Sequence, residues 1–149
     1  IEGGSGIAKH VALIVASGIA VLGHIGLMPQ HVTSPSGYRI TGHTTDEASR
    51  LASDAAALCK AGVFGIVMEG IIEPVAASIA AECAVPTIGI GASLACDGQI
   101  LVAEDLLGLY DAFTPKFVEK YANLQDDIGA AAAAFQKAVG LVSQLSSPK

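Results

Sequence analysis

The chain has 149 residues, enough for one domain with a substantial buried core. Only 15% of the residues are charged and the mean hydropathy is +0.56, which is typical of an α/β core or of a piece of a larger body. The net charge of −6 and the absence of a basic patch argue against nucleic acid as a partner.

The longest apolar stretch, residues 11–27, contains Ser17 and His24 and falls short of a membrane span. We find no signal-peptide pattern and therefore expect a cytoplasmic protein without a membrane partner. The cysteines, which are odd in number and widely spaced, are interpreted as cytosolic thiols that mostly act as small hydrophobic residues buried in helices. They are Cys59, Cys83 and Cys96.

The first residues, 1–4, have the pattern of the tail of a strand. A helix is predicted from about residue 6 to residue 17, and Gly18 ends it because glycine can adopt a positive φ. A second strand is predicted over residues 21–26, with His24 near its end.

A polar, turn-rich loop is predicted over residues 28–43. Loops of this length are uncommon in compact domains unless they are functional. Tyr38 and Arg39 in this loop could reach a ligand, or they could belong to a lid held by packing.

The second helix begins at a capping box, Thr44-Thr45-Asp46-Glu47, which places acidic residues in the first turn. We predict that this helix runs to Lys60 and that Gly62 closes it.

The apolar run over residues 63–70 predicts a strand buried on both faces, as in a parallel sheet. It ends at Glu69, where parallel α/β folds place their chemistry. A third helix should start at Pro74, which the first helical turn tolerates, and run to about Cys83.

A further strand is predicted over residues 86–92 and runs into a glycine-rich loop that ends at Gly98. The loop could be a weak phosphate site, or its small residues could simply allow a close approach of another group. A last short strand is predicted over residues 100–102, and a long helix over about residues 126–145, with Asp126 and Asp127 at its start.

The alternation of strands and helices predicts a parallel sheet with right-handed crossovers. An open doubly wound sheet and part of a (β/α)₈ barrel both fit. No Rossmann fingerprint is present, and the barrel explains why polar groups follow each successive strand. Each of Glu2, His24 and Glu69 alone could be a helix cap or a solvated residue. Together, on successive units, they favour a shared site.

Six motifs, in this order, resemble the ketopantoate hydroxymethyltransferase family, and the resemblance extends from Ile1 to about Leu124. They are GHIGLMPQ at 23–30, GYRITG at 37–42, VMEG at 67–70, GIGA at 89–92, DGQILV at 97–102 and PKF at 115–117.

The resemblance implies a (β/α)₈ barrel of the phosphoenolpyruvate/pyruvate superfamily and a large homo-oligomer. We expect residues 1–149 to be a single partial barrel domain, truncated at its N-terminus and carrying about strands 4–8.

The resemblance also implies transfer of a hydroxymethyl group from 5,10-methylenetetrahydrofolate to 3-methyl-2-oxobutanoate, through an enolate stabilised by Mg²⁺. It maps Glu69 onto the general base, Glu2 onto the acidic residue associated with magnesium, and His24 onto a histidine that lines the substrate pocket. For His24, the alternative is a histidine packed in the core.

Two aspartate magnesium ligands and a lysine that contacts the oxo acid in this family are not in this chain, and we therefore expect the chain alone to lack turnover. Two other functions remain open. One is a C–C lyase of the same superfamily acting on a 2-oxo acid, for which Cys96 lacks the usual motif. The other is a non-catalytic half-barrel assembly module.

Overall fold

The computed structural model describes residues 1–28, 39–110 and 118–145. Tyr38, the PKF motif at 115–117 and most of the predicted loop at 28–43 lie outside the described residues. The elements, in chain order, are α1 (Ala8–Ala16), β1 (Leu22–Gly26), α2 (Thr45–Ala61), β2 (Gly65–Glu69), α3 (Glu73–Glu82), β3 (Thr87–Ile90), β4 (Gly98–Gln99), α4 (Ala103–Leu106) and α5 (Leu124–Leu145).

The chain divides into two compact units, Ile1–Ile100 and Leu101–Lys149. The first unit contains α1 to α3 and the four strands, and the second contains α4 and α5. No helix among the described residues is long and apolar enough to cross a bilayer. That residues 1–149 form a single barrel domain stays a prediction.

The four strands form one parallel sheet in the order β1-β2-β3-β4, which confirms the predicted parallel arrangement. In the register, His24 is the partner of Val67 and Gly26 is the partner of Glu69. Because the strands are parallel, their carboxyl ends meet at one edge of the sheet, and Glu69 lies at that edge.

The core of the first unit lies between one face of the sheet and the three helices. Side chains alternate between the faces of a strand, so Ile25, Ile66 and Met68 point to the same side, and all three are buried. They join one cluster with helix residues, namely Val11 of α1, Leu51, Ala55 and Leu58 of α2, and Ala76 and Ile79 of α3. The three helices therefore cover the same face.

Helix α2 begins and ends where the sequence predicts. The hydroxyl of Thr44 accepts a hydrogen bond from the Glu47 N–H, and Gly62 ends the helix with φ 91°. The Glu47 carboxylate accepts hydrogen bonds from the N–H groups of Gly42 and His43. These contacts fix the end of the preceding loop onto the helix N-terminus.

The prediction that β2 is buried on both faces is wrong in part. Ile66 and Met68 are fully buried against the helices, but Val67 and Glu69 on the opposite face are only half-buried. The half-buried face is the one that carries the predicted functional carboxylate.

The predicted last strand at residues 100–102 is also wrong, because the fourth strand is Gly98–Gln99. The Asp97 carboxylate accepts hydrogen bonds from the backbone N–H of Thr87 at 2.7 Å and from its hydroxyl at 3.0 Å. This anchor places Gly98 and Gln99 beside β3, whereas the side chains of Ile100 and Val102 are exposed.

Within the glycine-rich segment, Gly89 allows a close approach. A Cβ atom at this position would lie 3.0 Å from the side-chain amide of Gln99 and 3.2 Å from the sulfur of Cys96. The segment is thus filled by its own side chains, which favours the close-approach interpretation over a phosphate site.

Candidate active site

His24 lies between two carboxylates on the half-buried face of the sheet. Its Nε2 atom is 3.2 Å from Glu69 Oε2, and its Nδ1 atom is 3.9 Å from Glu2 Oε1. The three side chains are between 16% and 21% exposed. The structure therefore brings together all three residues that the sequence predicts for the site.

Short-range backbone contacts place these residues. His24 and Glu69 project from the neighbouring strands β1 and β2. Glu2 forms a parallel bridge with His24, and the N–H of Gly3 donates to the His24 carbonyl at 3.0 Å. Residues 1–3 thus run beside β1, which agrees with the predicted strand tail.

The backbone around Glu69 is held on both sides. Its carbonyl accepts a hydrogen bond from the Leu27 N–H at 2.7 Å, and the N–H of Gly70 donates to the Ile90 carbonyl at 3.0 Å. The Gly70 carbonyl accepts from the Thr41 N–H at 2.8 Å. These contacts fix the strand end that carries the carboxylate, and no signal in the sequence pointed to Leu27 or Thr41 as its supports.

Gly26 allows the end of β1 to lie close to the Glu69 backbone. It adopts φ 97°, and a Cβ atom there would lie 2.2 Å from the Glu69 carbonyl oxygen and 2.7 Å from Ile71. Any other residue would push the end of β1 away from the end of β2.

Burial alters the protonation of the site. It raises the pKa of Glu69 above the ordinary value for glutamate, and the negative charge of Glu2 raises it further. Burial also lowers the pKa of His24, although the charge of Glu2 acts in the opposite direction. His24 is therefore neutral at pH 7, and Glu69 is a stronger base than an exposed glutamate.

Two buried polar atoms of the site, Glu2 Oε2 and His24 Nε2, have no hydrogen-bond partner among the described residues. Nε2 is 3.2 Å from Glu69 Oε2, and this pair is a polar contact and not a hydrogen bond. Buried polar atoms without partners are rare in proteins and indicate a place for a water, an ion or a ligand.

A magnesium ion fits this site only in part. Mg²⁺ prefers oxygen ligands and is often held by one or two carboxylates together with water and substrate oxygens. The free Oε2 of Glu2 suits that role. No group of three or more metal-binding side chains occurs within residues 1–28, 39–110 and 118–145. Glu2 would therefore be one ligand among several.

The other predicted candidates lie elsewhere. The guanidinium of Arg39 is 3.0 Å from the Glu47 carboxylate at the start of α2, so it is engaged with that helix. Cys96 is buried in the core of the first unit. A thiol buried in an apolar core is inert, which argues against Cys96 as a reactive cysteine of the alternative lyase.

Residues 1–143 match the family model described as ketopantoate hydroxymethyltransferase. The chain belongs to the ketopantoate hydroxymethyltransferase family. Relatives named 3-methyl-2-oxobutanoate hydroxymethyltransferase agree with this assignment. The one from Paracoccus denitrificans is 53% identical over 135 residues, which cover 91% of this chain and 49% of the relative.

The relative from Brucella canis is 48% identical over 139 residues, covering 93% of this chain and 50% of its own length. The relative from Paramagnetospirillum magneticum is 51% identical over 132 residues, covering 89% of this chain and 48% of its own. The chain therefore spans about half the length of the curated relatives that it matches.

Proposed function

We propose that this chain supplies the general base of a hydroxymethyltransferase that converts 3-methyl-2-oxobutanoate to ketopantoate, with 5,10-methylenetetrahydrofolate as the one-carbon donor. The observation that carries the proposal is Glu69, a half-buried carboxylate at a strand end in contact with His24. Family membership over residues 1–143 supports the reaction class.

In this proposal Glu69 removes the proton from C3 of the oxo acid, and the resulting enolate carbon forms a C–C bond to the one-carbon unit. The bonds between that unit and the folate nitrogens break, water supplies the hydroxyl oxygen, and tetrahydrofolate leaves with ketopantoate. A general base works best when its pKa lies near the operating pH. The raised pKa of Glu69, caused by burial and by the charge of Glu2, moves it in that direction.

His24 keeps the base in place and contributes a polar atom to the substrate pocket. Because burial lowers its pKa, the ring stays neutral and does not form an ion pair that would weaken Glu69 as a base. Its buried Nε2, which lacks an aligned partner among the described residues, is available to a substrate oxygen or to Glu69.

Glu2 would hold Mg²⁺ as one of its ligands, directly or through water. When bound, the ion would withdraw charge from the oxo acid and make the C3 proton more acidic. Glu2 also keeps a negative charge near Glu69, which raises the pKa of the base.

We infer that the sheet is part of a (β/α)₈ barrel, because α1, α2 and α3 all cover one face and the site lies on the other. We also propose that the 149-residue chain alone lacks turnover. Glu2 is the one carboxylate proposed for the metal, and the chain spans about half the length of its relatives. The large homo-oligomer and the cytoplasmic location remain predictions.

A chimera tests the function. This chain would replace the matching half of the Paracoccus denitrificans relative, and formation of ketopantoate would be measured with and without Mg²⁺. We expect an active chimera, an inactive 149-residue chain, and loss of activity in the Glu69→Gln chimera. Glu82→Gln, an exposed glutamate of α3, is the matched control and should stay active. A folded chimera with no transferase activity would refute the proposal.

A further inference from the structure

Two free cysteines that the proposed reaction does not use lie side by side in the first unit. Cys59 is in the last turn of α2, and Cys83 is the residue at which α3 ends. Their sulfur atoms are 3.4 Å apart, and both side chains are half-buried. The remaining cysteine, Cys96, is buried separately in the core.

The two sulfur atoms are in contact but are not bonded. The two sulfurs of a disulfide are about 2.05 Å apart, so these sulfurs need a further approach of about 1.4 Å. The backbone of Cys83 is extended and not helical, with φ −72° and ψ 130°. The pair therefore joins the end of one helix to the segment that enters β3.

The two cysteines lie beside a surface cavity. Both cysteines line a cavity of about 250 Å³ between α2 and α3, together with Ala56, Ile79 and Glu82. Ala56 and Glu82 are exposed, so the cavity lies at the protein surface. Burial raises the pKa of the Cys83 thiol, and the neighbouring Cys59 raises it further. Cys83 is therefore protonated until its proton is removed for the exchange.

We propose that Cys59 and Cys83 form a reversible redox pair, which a low-molecular-weight disulfide of the glutathione class oxidises to an intramolecular disulfide. The inference is independent of the proposed transferase reaction. It provides a modification site that would tie α2 to the segment entering β3.

The exchange has two steps. One cysteine thiolate attacks the reagent disulfide, forms a mixed disulfide and expels one reagent thiolate. The second cysteine, as its thiolate, attacks the protein sulfur of the mixed disulfide and expels the other reagent thiolate. Overall, two protein thiols become one disulfide, one reagent disulfide becomes two thiols, and the protons pass between thiols and solvent.

The test is equilibration of the folded chain with buffers of rising ratio of oxidised to reduced glutathione, followed by acid quenching, alkylation in denaturant and mass spectrometry. We expect a monomer that carries one alkyl group instead of three and whose unalkylated mass is lower by two hydrogen atoms, with a linked peptide pair that contains Cys59 and Cys83 and with Cys96 alkylated. Dithiothreitol should restore three alkylated cysteines.

Variants make the assignment specific. Cys59→Ser and Cys83→Ser should each abolish the lighter monomer, whereas Cys96→Ala should still form it. Circular dichroism checks that each variant is folded. If a variant does not fold, the linked peptide from the unmutated chain still shows which two cysteines form the disulfide. A product that stops at the glutathione adduct, links through Cys96, crosslinks two chains or shows no oxidation would overturn the proposal.

Discussion

The imidazole of His24 contacts the carboxylate of Glu69 across two neighbouring parallel strands, with 3.2 Å between Nε2 and Oε2. The contact is set by the register of β1 on β2 and by the backbone hydrogen bond from Leu27 to the Glu69 carbonyl. It joins a neutral ring to a carboxylate whose pKa is raised, which is a suitable arrangement for accepting a proton.

The lowered pKa of His24 predicts a loss of stability in acid. The unfolded chain takes up this proton near the ordinary histidine pKa of 6.5, whereas the folded chain resists it. The contribution of neutral His24 to the free energy of unfolding is fully present above pH 6.5. It is lost as the pH falls through the pKa of His24 in the folded chain. The free energy of unfolding, measured in urea from about pH 8 to about pH 5, should fall less steeply in His24→Asn.

The matched control for that experiment is His10→Asn, because His10 is exposed on α1. This variant should keep the pH dependence of the unmutated chain. If His24→Asn and the unmutated chain lose stability in parallel on acidification, His24 does not carry the effect.

Gly26 should not tolerate a side chain. Gly26→Ala combines a backbone φ of 97° with a Cβ that would lie 2.2 Å from the Glu69 carbonyl oxygen. We expect a loss of at least about 2 kcal/mol in the free energy of unfolding, because strain of this kind alone costs about 1 to 3 kcal/mol. Gly6→Ala is the control, since a Cβ there meets nothing within 4 Å. Equal stabilities of the two variants would contradict the close packing of β1 and β2.

The Glu2→Gln substitution should change two properties of the site, the pKa of Glu69 and the affinity for Mg²⁺. Removing the negative charge should lower the pKa of Glu69, which can be followed by ¹³C NMR of its carboxyl group. In the chimera, Mg²⁺ affinity measured by calorimetry should fall at least about 10-fold, since even groups that only orient metal ligands contribute that much. If the pKa of Glu69 and the Mg²⁺ affinity are unchanged in Glu2→Gln, as expected for the Glu82→Gln control, Glu2 has neither role.

Much of this architecture follows from local chemistry in the sequence. The apolar runs before Gly26 and Glu69 predict β1 and β2, and the Thr44 cap and Gly62 fix the ends of α2. Carboxyl ends of parallel strands meet at one edge, so the proximity of His24 and Glu69 could also be predicted.

Prediction from the sequence fails where tertiary contacts determine the local structure. The two residues of β4 have no apolar pattern, and the hydrogen bonds between Asp97 and Thr87 place them, which periodicity cannot reveal. Similarly, the 3.4 Å separation of Cys59 and Cys83 depends on how α2 packs on α3, and sequence spacing carries no information about it.

The most direct test of the account is exchange of the C3 proton of 3-methyl-2-oxobutanoate in D₂O, followed by ¹H NMR in the chimera with Mg²⁺ and without folate. This partial reaction isolates proton removal from hydroxymethyl transfer. The unmutated chimera should catalyse the exchange, and Glu69→Gln should slow it by about 10² to 10⁴-fold, the usual contribution of a general base. Exchange at the unmutated rate in a folded Glu69→Gln chimera would contradict the assignment of Glu69 as the base.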